Sequence, residues 1–187
     1  LFTLDSSFEG RGKQGYLSNP YVFACIDQRS ANLASLPICL ELNGEKVNDH
    51  DIFNMFNNVF YGNTVLNQYD FFYRLSAFLD ISGNAYVWGD NATNPSELVL
   101  YDPSDVSIDT SSGKVVYSIG QTKIDTDKNL FLHIANFNPS SKIKGAAPTE
   151  AADLSIDTNN AGRVYNSSLM QKHTKISGIL KGTAGSI

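Results

Sequence analysis

The stretch that decides the fold runs from Tyr69 to Pro103 and reads YDFFYRLSAFLDISGNAYVWGDNATNPSELVLYDP. Its first part carries aromatic and aliphatic residues at helical spacing, which predicts an amphipathic helix over about residues 67–81. Gly83 then offers a helix stop. The segments 85–88 and 98–101 are typical of strands separated by a polar turn. The stretch holds no cluster of acids, bases and nucleophiles, so we expect it to serve architecture and not catalysis.

The part of the chain before this stretch begins with a well-marked helix. Ser18 or Asn19 can cap it, Pro20 suits its first position, and Pro37 ends it. Alternating apolar residues over 38–42 and the Asn43-Gly44 dipeptide then predict a hairpin of two short strands. Residues 50–56 follow as a short helix, with a turn at 61–63.

The part after this stretch is predicted to be mainly β as far as about residue 136. Apolar segments at 106–108, 115–119 and 130–134 are separated by turn residues, with a hairpin loop from Asp109 to Gly113. Pro148 opens a second long helix, which Asn159-Asn160 and Gly162 could kink. Residues 176–180 are a last strand candidate. The pattern as a whole predicts an α+β fold with a mostly antiparallel sheet and two long helices.

Composition limits the function classes that suit the chain. Its 187 residues fit one domain or a domain with an appendage, and 42% hydrophobic residues suffice for a core. The net charge of -5 and the scattered lysines disfavour tight, direct binding of DNA. No apolar run approaches the ~20 residues of a membrane span, and no signal peptide is visible. Both ends of the sequence look cut, so we expect a fragment of a longer protein.

The two cysteines, Cys25 and Cys39, are too few for a disulfide framework. Cys25 lies in a helical pattern and Cys39 beside a strand pattern. We predict buried free thiols at both positions in preference to a disulfide or a metal site.

The search for catalytic residues centres on His133, which lies between Leu132 and Ile134 in a strand pattern. It is either a catalytic base or metal ligand, or a strand histidine whose nitrogens are satisfied by neighbours, and we favour the second interpretation. His50, between two aspartates at a helix start, is best explained by capping. His173 is expected to be solvated.

No other group predicts a site. Asp125, Asp127 and Asn129 alternate as in a calcium loop, but the glycine and distal Glu of an EF-hand are absent, so a turn is favoured. We therefore assign no catalytic, cofactor-binding or metal-binding residues and no cofactor. The aromatics of 69–78 could stack bases, but their helical spacing and the single basic neighbour Arg74 favour core and subunit contacts. Trp88 could be an interface anchor or pack over the sheet.

Six short motifs occur in order along the chain. They are Tyr21-Val22-Phe23-Ala24-Cys25-Ile26 leading to Asn32-Leu33-Ala34-Ser35-Leu36-Pro37, Ser82-Gly83-Asn84-Ala85-Tyr86-Val87, Asp102-Pro103-Ser104-Asp105-Val106, Phe131-Leu132-His133-Ile134, Gly145-Ala146-Ala147-Pro148 with Ala151-Ala152, and Ser177-Gly178-Ile179-Leu180. Together these motifs resemble one family, the portal proteins of tailed bacteriophages of the siphophage type. Ala147 and Thr149 stand where that family usually has Ser and Leu.

The resemblance implies a structural subunit and not an enzyme. Portals of this family are homo-oligomeric rings, usually twelvefold, at one capsid vertex, through which double-stranded DNA passes during packaging and ejection without sequence-specific binding. Terminase, the capsid protein and head-tail connector proteins are the implied partners. The implied location is the virion, and the host cytoplasm during assembly, with no membrane.

The resemblance also implies a division of the chain. Residues 1–17 would form an extended arm, and residues 18–187 the outer "wing", without the stem, clip and crown. Two faces are candidates for ring contacts: the aromatics near Tyr69 to Tyr73, with Arg74→Glu as a test, and the polar helix from Glu150 to Gln171. The alternative is an α+β ligand- or nucleic-acid-binding module, or an enzyme fragment whose site lies outside this chain.

Overall fold

A computed structural model describes residues 10–47, 50–111 and 113–171. A single π-helical segment, Arg11–Tyr16, precedes four α-helices and ten strands in these ranges. The helices are α1 (Pro20–Ala34), α2 (Asp51–Phe56), α3 (Gln68–Ser82) and α4 (Pro148–Gln171). The strands are β1 (Leu40–Leu42), β2 (Glu45–Val47), β3 (Val59–Tyr61), β4 (Thr64–Leu66), β5 (Asn84–Gly89), β6 (Leu98–Tyr101), β7 (Val106–Asp109), β8 (Val116–Ile119), β9 (Thr122–Lys123) and β10 (Leu130–Ala135).

The strands form one central sheet and two small ones. The central sheet has five strands in the order β10-β5-β6-β3-β4, while β1-β2 and β7-β8-β9 form the others. Only β3 and β6 pair in parallel among the described strands, and every other pair is antiparallel. The predicted α+β fold with a mostly antiparallel sheet is therefore confirmed.

The core lies between α3 and the central sheet. Phe71, Leu75 and Phe78 of α3 pack with Val59 and Leu100 of the sheet, and all five are buried. Each such side chain contributes about 1.5–3 kcal/mol when it leaves water. A second, smaller cluster joins α1 to α3 on the side of α3 away from the sheet.

The helix boundaries follow the capping signals of the sequence. The Asn19 side chain accepts hydrogen bonds from the backbone N–H groups of Tyr21 and Val22, and Asn67 caps α3 in the same way. Gly83 ends α3 with φ of 77°, a left-handed conformation that glycine adopts without strain. These side chains satisfy N–H groups that the first helical turn leaves without partners.

Several predictions about local structure were wrong. The turn at 61–63 closes a hairpin, β3–β4, that the sequence patterns did not indicate, and β9 was also missed. Both thiols are free, as predicted, but Cys25 and Cys39 are exposed and not buried. Cys25 is at an exposed position of α1, and Cys39 immediately precedes the hairpin of β1 and β2. Helix α4 runs without interruption through Asn159 to Gly162.

The predicted N-terminal arm is helical where the structure describes it. Residues 11–16 form the π-helical segment, and the Arg11 side chain is buried with its Nη2 3.6 Å from Glu150 Oε2 and 3.9 Å from Asp153 Oδ2. These ion pairs with α4 give this segment a reason to fold against the body instead of extending. The predicted strand at 176–180 lies outside the described residues, and the domain division remains a prediction.

The sequence Gly83-Asn84 meets the loop before α4 at a very close backbone crossing. A Cβ on Gly83 would lie 2.5 Å from the carbonyl carbon of Ala146, and one on Gly145 would overlap the carbonyl oxygen of Gly83. No real side chain tolerates such distances, so both positions require glycine. This explains why the Gly-Asn motif and the Gly-x-x-Pro motif occur together in one chain.

Two asparagines hold this crossing in place. Asn84 Oδ1 accepts from Gly145 N at 2.8 Å. Asn136 Nδ2 donates to the carbonyl oxygen of Leu79 at 2.8 Å, while its backbone N–H donates to the carbonyl oxygen of Gly83 at 2.9 Å. Through these hydrogen bonds, the two asparagines together connect the end of α3, the start of β5 and the loop that leads into α4.

We expect Gly145→Ala to destabilise the chain by about 3 kcal/mol or more, because the added methyl group would meet backbone atoms that cannot move independently. At this chain length that corresponds to a fall in Tm of roughly 10 °C, which thermal unfolding followed by circular dichroism would measure. Gly162→Ala is the matched control: among the described residues, nothing other than its chain neighbours and the surrounding helix backbone lies within 4 Å of the added Cβ. It should raise stability by about 0.5–1 kcal/mol, because alanine favours a helix interior. Equal Tm values for Gly145→Ala and Gly162→Ala would contradict the requirement for glycine at the backbone crossing.

Candidate subunit-contact surface

His133 is satisfied by neighbours, as the sequence analysis favoured. Its Nε2 lies 2.9 Å from Asn84 Oδ1 and its Nδ1 lies 3.2 Å from the Tyr117 hydroxyl. Asn84 Oδ1 is an acceptor, because it also accepts from Gly145 N. We therefore place the imidazole proton on Nε2, which donates to Asn84 Oδ1, and let the unprotonated Nδ1 accept from the Tyr117 hydroxyl. Burial lowers the pKa of His133. The imidazole is therefore neutral and structural at pH 7.

His50 and Asp125 also make local structural contacts, whereas His173 lies outside the described residues. His50 Nδ1 accepts from the backbone N–H of Ile52 and caps α2. Asp125 accepts from the backbone N–H of Asp127 within a turn. Within residues 10–47, 50–111 and 113–171, no three His, Cys, Asp or Glu side chains gather where they could hold a metal ion. None of the helices there has the length and apolar character needed to cross a bilayer.

The aromatic residues of α3 are mostly core residues. Phe71 and Phe78 are buried, and the Tyr73 hydroxyl donates to Asp27 Oδ1 of α1 at 2.6 Å. Burial, followed by this hydrogen bond, raises the pKa of Tyr73. Tyr69 remains 44% exposed. The first predicted contact face therefore offers much less aromatic surface than the sequence suggested.

Arg74 has an intramolecular role, so Arg74→Glu is a poor test of ring contacts. Its guanidinium carbon lies 4.6 Å from the ring centroid of Tyr61. The Tyr61 hydroxyl in turn donates to the Asp102 carboxylate at 2.9 Å, and burial with this hydrogen bond raises the pKa of Tyr61 to about 12. Reversing the charge at position 74 would disturb this group before it affected any neighbouring subunit.

Helix α4 is fixed to the body along one side. Arg163 Nη1 donates to the carbonyl oxygen of Ser18 at 2.7 Å, and Asn19 Nδ2 donates to Asn159 Oδ1 at 3.1 Å. Near its start, Thr149 Oγ1 donates to the carbonyl oxygens at the end of α3, and Ile156 is buried. These contacts fix one side of the helix from its first turn to Arg163, at the end of its middle third.

The opposite side of α4 carries an uncovered apolar stripe, which we call the outer stripe and define as Leu154, Ala161, Tyr165 and Leu169. At 3.6 residues per turn, these residues share an arc of about 80° that faces away from Thr149 and Ile156. Leu154 is 81% exposed, Tyr165 64% and Leu169 41%. An exposed apolar stripe on a helix that is already fixed by its other side is typical of an interaction surface.

A second uncovered surface is a groove between α1 and α4, floored by the end of α3. This α1–α4 groove has a volume of about 260 Å³, and its walls include Tyr21, Val22, Cys25, Ile26, Ala152 and Ile156. Asp80 and Arg29 also line it, with Arg29 Nη1 2.9 Å from Asp80 Oδ1. The lining is mainly apolar, so the groove is not the polar, carboxylate-rich pocket with His133 that would favour an enzyme.

The floor of the groove carries an unsatisfied acceptor. The Asp80 side chain is only 4% exposed, and its Oδ2 has no hydrogen-bond partner among the described residues. Burial raises the pKa of Asp80, and the nearby Arg29 charge opposes that rise. Sequence analysis named the helix from Glu150 to Gln171 as a candidate contact face, but it did not identify the outer stripe on that helix and it missed the groove. The stripe has a readable signal in its helical spacing, whereas the groove arises only when three helices pack.

The His133 arrangement predicts a pH dependence of stability. The folded-state pKa lies below that of the unfolded chain, about 6.5, so unfolding takes up a proton as the pH falls through that value. The stabilisation is complete above pH 6.5 and is lost on acidification towards the folded-state pKa. We expect Tm to fall more between pH 7.5 and 5.5 for the wild type than for His133→Gln, whose amide can still donate to Asn84. The raised pKa values of Asp80 and Asp102 act with the opposite sign but are common to both proteins. An identical change of Tm in the two proteins would contradict this assignment.

Known structures share this fold. The chain is 19% identical to a chain in the neck of an empty gene transfer agent particle computed with C6 symmetry, with a TM-score of 0.77 over 96% of this chain and 51% of that one. A chain in the virion of a native gene transfer agent gives a TM-score of 0.72 at 19% identity, over 93% and 51%. An HK97 family phage portal protein from Corynebacterium diphtheriae gives 0.60 at 11% identity, over 100% and 58%.

Sequence comparison points to the same family. An uncharacterized protein of Rickettsia bellii (strain RML369-C) is 26% identical over 184 residues, which is 90% of this chain and 46% of that protein. The chain therefore spans about half the length of the relatives it matches. The family model described as phage portal protein matches residues 20–187, which is most of the chain. The chain belongs to the phage portal protein family.

Proposed function

We propose that this chain is the outer wing part of a structural subunit in a phage portal ring at the capsid vertex. The observation that carries the proposal is the family match, which continues from α1 through α4. The two uncovered apolar surfaces support it, because a ring subunit needs faces that only neighbouring copies cover. Under this proposal residues 18–187 form the wing, residues 1–17 lead into it, and the chain has no catalytic role.

The proposed assembly is a closed ring of about a dozen copies. One of the similar solved structures is described as the neck of a native gene transfer agent particle computed with C12 symmetry. In a closed cyclic ring each contact joins two different faces of the same chain. The α1–α4 groove and the outer stripe are two such faces, and both lie on the helical side of the domain.

The proposed role in the virion is to surround and support the channel through which double-stranded DNA is packaged and ejected. The partners would be the capsid protein, terminase and head-tail connector proteins, met in the host cytoplasm during assembly and then in the virion. A net charge of -5 suits DNA that slides past without being held. It also argues against the alternative of a nucleic-acid-binding module.

The decisive experiment is the assembly state of the complete gene product that contains these residues. Mass photometry over a range of salt concentrations gives the number of subunits, and negative-stain imaging gives their arrangement. Rings of about a dozen subunits with a central hole are the expected result. A monomer or dimer under all conditions would overturn the proposal.

The outer stripe predicts which substitutions block ring formation. Leu169→Asp places a charge in the stripe, where burial against a neighbour would be costly, so we expect rings to be lost at protein concentrations at which the wild type assembles. Ser167→Asp introduces the same charge two residues away, about 200° around the helix, and should assemble normally. Equal Tm values for the two variants would show that the subunit itself is intact. If the Leu169→Asp variant still forms rings, the outer stripe is not part of the contact between subunits.

A further inference from the structure

We propose that the open edge of the central sheet, along β10, receives residues 176–180 of a second copy as an added strand. This inference rests on the proposed ring and names one of its contacts. In this kind of recognition, main-chain hydrogen bonds at a sheet edge supply affinity and alternate side chains supply specificity.

The backbone of β10 is open on one side. The strand lies at one end of the central sheet and pairs only with β5 among the described strands. The Asn136 N–H donates to the carbonyl oxygen of Gly83, and this bond sets the alternation along the antiparallel pair. The N–H and C=O groups of Phe131, His133 and Ala135 therefore point away from β5. They have no backbone partner among the described residues and can pair with a further strand.

The side chains of β10 leave this edge apolar and uncharged. Leu132 and Ile134 pair with Val87 and Ala85 of β5, so they lie on the face of the sheet against which α3 packs. Leu132 is nevertheless 46% exposed and Ile134 37% exposed. Residues 129–137 contain no charged residue and no proline, which are the usual protection of an edge strand. The edge therefore has the properties of one that another strand covers.

Residues 176–180 have the composition of such a strand. Their sequence, Ile-Ser-Gly-Ile-Leu, predicts a strand, carries no charge and lies within the span that matches the portal family model. In an extended conformation Ile176 and Leu180 share one face. Paired with β10, they would extend the apolar surface of Leu132 and Ile134.

The length of α4 requires that a second copy supplies the segment. The helix begins beside the crossing, where Asn136 Nδ2 donates to the carbonyl oxygen of Ala146, and its 24 residues carry the chain about 36 Å away. It passes the start of α1, where Arg163 contacts Ser18, whereas β10 extends from the crossing beside β5, back along α3. The five residue steps from Gln171 to position 176 span at most about 18 Å. A chain's own segment therefore cannot reach its own β10.

The added strand continues the contact that the outer stripe begins. Leu169, the last residue of the stripe, is exposed and precedes Ile176 by seven positions. A neighbour that binds the end of α4 therefore lies within reach of the segment that follows. The donor segment and the acceptor edge are different parts of the chain, as a closed cyclic ring requires.

Crosslinking in the complete gene product tests the pairing directly. In a Cys25→Ser, Cys39→Ser background, Leu132→Cys places one thiol on the β10 edge and Gly178→Cys places another at the centre of the segment. We expect a short bismaleimide to produce a ladder of covalently linked multimers on denaturing gels. Val65→Cys with Gly178→Cys is the matched control, because Val65 is an exposed residue of β4 at the opposite edge of the same sheet. It should give no ladder.

The outcomes separate this contact from the ring itself. Rings without a ladder from the Leu132→Cys pair would overturn the contact while the ring stands. A linked monomer would show that the segment reaches its own β10, and an equal ladder from the Val65→Cys pair would show that β10 is not its specific partner. Either result would overturn the inference. Absence of rings in the unmodified protein would instead overturn the proposed function.

A charge on the edge provides a second test. Leu132→Lys places a lysine where the added strand would cover it, so the protein concentration at half-assembly, measured by mass photometry, should rise about tenfold or more. Val65→Lys should leave that concentration unchanged, and equal Tm values for the two variants would show that the subunit is intact. If Leu132→Lys assembles like the wild type, the edge is not a contact.

Amide hydrogen exchange distinguishes strand pairing from contact through side chains alone. In assembled rings the amides of Phe131, His133 and Ala135 should exchange more slowly than in the unassembled Leu132→Lys variant, because they would donate to the added strand. Peptides that cover residues 176–180 should be protected in the same rings. Equal exchange in the assembled and unassembled proteins would overturn the strand pairing.

Discussion

The close crossing of the backbone at Gly83 and Gly145 is the constraint on which the rest of the structure depends. It brings the end of α3, the first residue of β5 and the loop before α4 within hydrogen-bond distance of one another, and only two glycines without side chains allow it. Asn84 then connects this crossing to His133 on β10. The position of α4, and with it both proposed contact faces, follows from the place where this loop passes α3.

Most of the secondary structure could be predicted because its signals are local. A capping asparagine, a proline at the first position or a glycine at the end decides a helix boundary within a few residues, as at Asn19, Pro20 and Gly83. The Asn43-Gly44 turn is equally local, since both residues adopt positive φ angles. The Gly-Asn and Gly-x-x-Pro motifs are local signals of the same kind. The structure shows that the two segments meet at the backbone crossing.

What could not be predicted depends on contacts between distant segments. The hairpin β3–β4 joins the central sheet because β3 pairs in parallel with β6. Residues 59–66 contain no sequence signal for that distant partner. The exposure of Cys25 follows from which side of α1 the other helices leave open. The unpartnered oxygen of Asp80 likewise exists only because α1, α3 and α4 surround it. Residue type alone indicated a buried thiol at position 25.

Helix α4 shows how contacts along one side of a helix can orient the proposed contact surface on its other side. Its inner side is held by directional hydrogen bonds, from Asn19 to Asn159 and from Arg163 to Ser18. These contacts fix the rotation of the helix about its axis and therefore fix the direction in which the outer stripe faces. A ring of many copies closes only if each contact repeats the same angle. A rigidly oriented helix meets that requirement, whereas an apolar patch on a loose segment would bind neighbours at varied angles and form open chains.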